Sequence, residues 1–211
     1  MPENILPAFH GSSEQALKRA IAWAEKSINF SAIRLSEMPK LGSRTVRQIL
    51  SGAKVSGFFG CLDKAAVIGT ALKENGFEVS LVTERMKSGK GPNGLHFSLK
   101  AEKDGEKFTV DSLPHETRLI KGWREKDYSF EARLPMGIKA KVESRQVLEK
   151  PIPAKAIDTG VFRLAGIRGN AHFAWLSRTN PLKFAKFFAK KSRKSRESTM
   201  AKWRKRSSMR K

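Results

Sequence analysis

Apolar positions in the first third of the chain recur with a helical period. Leu17, Ala20, Ile21, Ala24 and Ile28 share one helical face, and Ser12 and Gln15 stand ahead of them at capping-box spacing. The pattern predicts a helix of about four turns. A second, shorter helix is predicted from Ser43, between the Pro39 to Gly42 break and Gly52, with Val46, Ile49 and Leu50 inward. A third opens at Cys61 and turns Leu62, Ala65, Ala66, Gly69 and Leu72 inward. It ends at Asn75-Gly76, where the glycine supplies a left-handed stop.

Beyond Gly76 the period falls to two. Phe77, Val79 and Leu81 alternate as one strand, Leu95, Phe97 and Leu99 as another, and Phe108 and Val110 as a third. Asp104-Gly105 is the hairpin turn between the last two. Lys87 to Gly94 is read as a Gly-rich loop. It lacks the spacing and the following helix of a phosphate-binding loop, so it is expected at the edge of a cleft. Ile138 to Val147 and Val161 to Ile167 read as further strands, separated by Pro151 and Pro153. Helices followed by antiparallel strands predict an α+β fold, with N-terminal helices packed on an antiparallel sheet. The expected units are a main domain over 1–150, a strand-containing extension over 151–181, and a basic amphipathic helix or tail over 182–211.

The hairpin register brings two polar residues together. A two-residue turn pairs Lys103 with Glu106, and counting back places Asp111 opposite Ser98. His96 lies two residues from Ser98 and shares its face, so Asp111 becomes a diagonal neighbour of His96; a four-residue turn would set the two directly opposite, on one face either way. Phe97, Leu99, Phe108 and Val110 fall on the opposite, apolar face. Cys61 adds the third group. A thiol attacks as thiolate, and the unpaired N–H groups at a helix start favour that anion. Gly60 before it lets a substrate backbone approach, and the Cys61 N–H is placed to hold an oxyanion. Cys61 as nucleophile, His96 as base and Asp111 as the carboxylate that steadies the ring make up the requirements of a triad.

The segments GCLDKAAVIGTALKENGFEVSLV and HFSLKAEKDGEKFTVD resemble the core of the transglutaminase-like superfamily of cysteine enzymes. The resemblance runs over Ile49 to Val82 and then His96 to Asp111, with Cys61, His96 and Asp111 in the superfamily's order. It implies a papain-like α+β core and chemistry on amide or ester carbonyls through a thioester. Protease or amidase hydrolysis and acyl transfer both occur in such relatives, so a peptide or protein substrate is implied. The HFSLK segment fits only in part, and no calcium site like that of the animal enzymes is visible. The second oxyanion donor that relatives supply from upstream has Gln48 as its candidate here.

Other residues have ordinary readings. His115 follows Pro114 near the hairpin and is the alternative base, His172 is expected to pack, and His10 belongs to the terminus. Trp123 and Tyr128 are expected in the core, with lining of a cleft as the alternative. Four scattered histidines and one cysteine lack metal-ligand spacing, so neither a metal nor another cofactor is expected.

Charge changes the picture last. The chain of 211 residues has 42 Lys and Arg against 20 Asp and Glu, for a net charge of +22. Residues 183–211 hold thirteen of these cations and one acid, Glu197, leaving +10 on everything before them. A solvated charge run is one reading of this tail. Nucleic acid or an anionic membrane surface is the other, with Phe184, Phe187, Phe188 and Trp203 available to stack or insert. One cysteine excludes an internal disulfide framework and points to a reducing, cytoplasmic setting. No leader pattern and no spanning apolar run are read from the sequence.

Overall fold

A computed structural model describes residues 6–31, 44–53, 55–56, 60–88, 94–113, 116–124, 129–134 and 138–166. Outside these lie the basic tail, His115, His172, Tyr128 and residues 89–93 of the Gly-rich loop. The fold is α+β, built on a six-stranded antiparallel sheet.

Helix α1 spans Ser13–Ser27. Ser12 caps it, and Ser12 and Gln15 form the reciprocal capping box that their spacing foretold. Its buried face is Ser13, Ala16, Leu17, Ala20 and Ala24, and these mostly small residues let it lie close to its neighbour. Strand β1 (Phe30–Ser31) pairs in parallel with β2 (Val55–Ser56), two residues each. Between them lies α2, Val46–Leu50. Its cap is Thr45, not Ser43, because Thr45 and Gln48 close a second capping box. Helix α3, Cys61–Glu74, is buried from Cys61 through Leu72. Gly76, at a φ of +80°, follows its C-cap as the left-handed stop. Both α1 and α2 pack against α3.

The strands are β3 (Glu78–Ser88), β4 (Gly94–Lys103), β5 (Glu106–Leu113), β6 (Glu116–Lys121), β7 (Ser129–Leu134) and β8 (Ile138–Pro151). They lie in the order β6-β5-β4-β3-β8-β7. Lys103 pairs with Glu106 and Ser98 with Asp111, as the hairpin count requires. Asp104 and Gly105 both have positive φ, +52° and +77°, as a two-residue turn of this twist demands.

Helix α3 lies on the apolar face of the sheet. A Cβ at Gly69 would sit 2.3 Å from Ile152 and 3.0 Å from Leu99, so the glycine is what permits that approach. Phe77, Leu81, Leu99, Phe108 and Val110 join Leu17, Ile49, Ile68 and Leu72 in one core.

Three expectations need correction. The loop expected from Lys87 is still strand at Lys87 and Ser88, which pair with Glu143 and Val142 of β8. Val161 to Ile167 was expected as a strand, but Val161–Leu164 forms a short helix, α4. Its buried residues are Val161 and Leu164, a helical spacing, and with the C-cap Ala165 they share the core with Ile152 and Ala156. Trp123 is not core: it is 47 % exposed, with the Lys100 and Lys107 ammonium groups over its ring. Among the described residues no helix is long and apolar enough to cross a membrane.

Candidate active site

Cys61 is the first residue of α3 and His96 the third of β4. The two elements run side by side in the same direction. Gly69 faces Leu99 midway, and at the far end the Lys103 ammonium donates to the Asn75 carbonyl at 3.0 Å. From Cys61 to Asn75 a helix rises about 21 Å. From His96 to Lys103 a strand rises about 23 Å. The near ends therefore meet, and the Cys61 thiol comes close enough to the His96 ring to help raise its pKa. The body of α3 covers the apolar face, while its first residue reaches a histidine that belongs to the polar one.

His96 Nε2 contacts Asp111 Oδ1, which leaves the other ring nitrogen for the thiol. His96 is 3 % exposed and Asp111 2 %. Burial alone would depress the imidazolium, but hydrogen bonds and charge from Asp111 and Cys61 outweigh it, and the His96 pKa is raised to about 10. Asp111 moves the other way. Burial works to raise it, yet hydrogen bonding and charge from His96, with help from Arg124, hold its carboxyl below the ordinary value. Across neutral pH the ring is cationic and Nε2–H donates to Asp111.

Three charged residues at this site were not singled out in the sequence. Arg124 donates to Asp111 Oδ2 at 2.6 Å. Glu84 pairs directly across from His96 on β3, is buried, and accepts from the Ser98 hydroxyl at 3.4 Å. Next to this pair the β3–β8 register slips, as bulged strands beside sites often do. Lys64, one turn along α3 from Cys61, donates to the Thr117 hydroxyl at 3.2 Å. Burial depresses its ammonium below the ordinary lysine value, against support from Glu25 and Cys61. For Glu84 a signal existed, since the β3–β4 alternation puts it on the His96 face. For Arg124 there was none, because β6 was not recognised.

The remaining candidates lie elsewhere. Gln48 is exposed in α2, where its amide oxygen accepts from the Thr45 N–H at 2.9 Å, so its described contact belongs to the helix cap. His10 is exposed, and its carbonyl accepts from Arg19.

Cys61 itself is a free thiol, 9 % exposed. Gly60 caps α3 without a side chain, so no side-chain cap competes for the first N–H groups of the helix. A thiol at a helix start, against a histidine that a carboxylate holds, can in chemical terms attack an electrophilic carbon and return a proton to a leaving group. Comparisons with protein-family models, with curated proteins and with solved structures give no match.

Proposed function

We propose that this chain is a transglutaminase-like cysteine enzyme with a papain-like core, acting on amide or ester carbonyls through a thioester at Cys61. One observation carries the reading: a buried imidazole held by a buried carboxylate beside a thiol at a helix start.

The reacting form is the one in which His96 holds the proton that Cys61 has given up. The sulfur adds to the carbonyl carbon, and the oxyanion is held by the Cys61 N–H, a helix-start donor without an intrahelical partner. As the tetrahedral species collapses, the C–N or C–O bond breaks and His96 gives its proton to the departing amine or alkoxide. His96, now neutral, takes a proton from water, whose oxygen attacks the thioester. The C–S bond breaks, and acid and thiolate are restored. An amine in place of water gives transfer; hydrolysis is the default, because no described feature marks an amine site. Peptide or protein is the substrate class of this reading.

The test is selective labelling. Iodoacetamide is expected to alkylate Cys61 in the folded protein, and His96→Ala is expected to slow that step at least about a hundredfold, the range for losing a positioned base. Equal labelling of the two folded proteins would remove the claim of an activated thiol.

A second reading rests on charge. Residues 183–211 carry +12, and a stretch of that density binds polyanions with salt-sensitive affinity whether or not the triad turns over.

A further inference from the structure

Arg124, which follows β6, is tied to the triad carboxylate by more than its own ion pair. Its guanidinium donates to Asp111 Oδ2 at 2.6 Å, while Oδ1 takes the His96 ring. Its backbone N–H donates to the Thr109 hydroxyl at 3.0 Å, and that hydroxyl donates to the Gly122 carbonyl at 3.0 Å. The Gly122 N–H donates in turn to the Lys107 carbonyl at 2.7 Å. Thr109 stands two residues before Asp111 on the same face of β5. These bonds clamp residues 122–124 to the strand that carries Asp111, and the φ of +83° at Gly122 is the turn that brings them there.

A carboxylate gripped at one oxygen still has a broad terminal torsion. Gripped at both, it leaves the imidazole only by breaking a second charge-assisted bond. Arg124 is 14 % exposed and Asp111 3 % by side chain, so solvent screens this pair far less than a surface one.

We propose that Arg124 is a positioning residue that fixes Asp111, and through it the His96 ring, in the orientation that faces Cys61. The proposal rests on the triad reading above, but it concerns ring orientation and can be read without turnover. Among the described residues, Cys61 on α3 and Asp111 on β5 act on the ring directly, Glu84 on β3 lies across from His96, and Arg118 on β6 and Arg124 lie beside Asp111. Arg124 holds the outer oxygen of Asp111. A merely structural ion pair would cost stability on removal and leave the ring as it was.

The experiment uses the full chain with histidine rings labelled with nitrogen-15. The His96 ring nitrogens are followed by NMR in wild type, Arg124→Met, Arg124→Lys and Thr109→Val, and iodoacetamide alkylation of Cys61 is timed on the same samples. Arg124→Met is expected to lose the downfield Nε2–H resonance and to alkylate about tenfold more slowly, the scale for losing a partner that orients a directly acting group. Arg124→Lys is expected to keep the resonance and most of the rate. Thr109→Val, a near-isosteric change, is expected to shift both readouts in the same direction as Arg124→Met, and it serves if that variant does not fold. A wild-type resonance and rate in folded Arg124→Met, or in Thr109→Val where only that one folds, overturns the proposal. If wild type and His96→Ala alkylate alike, the triad reading fails, and the ring resonance still decides the role of Arg124.

Discussion

Asp63, in the first turn of α3, has one oxygen on Arg44 at 2.9 Å, while the other is buried with no hydrogen-bond partner among the described residues. Burial pushes its carboxyl up to about 7, against the pull of the Arg44 guanidinium. A folded-state pKa above the ordinary 3.8 means that this residue's contribution to stability is full below that pH and is lost as pH rises through about 7. Relative to Asp63→Asn, the wild type should lose a few kcal/mol across that window. Denaturant titrations of both proteins at several pH values check this, and a difference flat with pH would contradict it. His96 has the same sign but a higher window: its contribution is full below the ordinary 6.5 and is lost as pH rises through about 10. At this scale the sequence was legible where local patterns carry the information. Cys61 announced itself by a helix start and Asp111 by a hairpin count. Arg44 and Arg124 act through contacts that no local spacing encodes.

Among the elements, α3 and β4 set the site, and Gly69 sets their separation. Alanine usually improves a helix interior by about 1 kcal/mol over glycine. Here its Cβ would fall 2.3 Å from the end of Ile152 and 3.0 Å from the end of Leu99, both fully buried. Gly69→Ala is therefore expected to cost about 1–3 kcal/mol by overpacking. Adding Ile152→Val removes the closer of the two methyl groups and should recover most of that loss. Denaturant midpoints of the single and double variants read this, and a Gly69→Ala protein more stable than wild type would contradict the close approach. The helices and the central hairpin were legible because capping boxes, Asn75-Gly76 and Asp104-Gly105 are local signals. The outer strands β6 and β7 were not, since pairing across the sheet and not their own periodicity decides them. The helix over Val161–Leu164 was mistaken for a strand because a run so short shows either period.

For the whole molecule, the proposed chemistry and the charge of the tail are expected to be separable. Removing 183–211 takes the formal charge from +22 to +10. The shortened chain should lose most of its salt-sensitive binding to RNA or DNA, measured as affinity against salt concentration, while Cys61 alkylation is unchanged. Unaltered binding would place the polyanion contact elsewhere. The α+β class was readable because helices and strands segregate along the chain, but the meeting of Cys61 with His96 was not. That contact depends on α3 and β4 running in step over their full lengths, a property of packing.

The most direct measurement is peptide mass spectrometry after reaction with an activated ester such as p-nitrophenyl acetate. An acetyl group is expected on Cys61 of the wild type, with far less on Cys61 of folded His96→Ala. No acetyl on Cys61, or an equal yield from the two proteins, would contradict a thiol that His96 and Asp111 put to work.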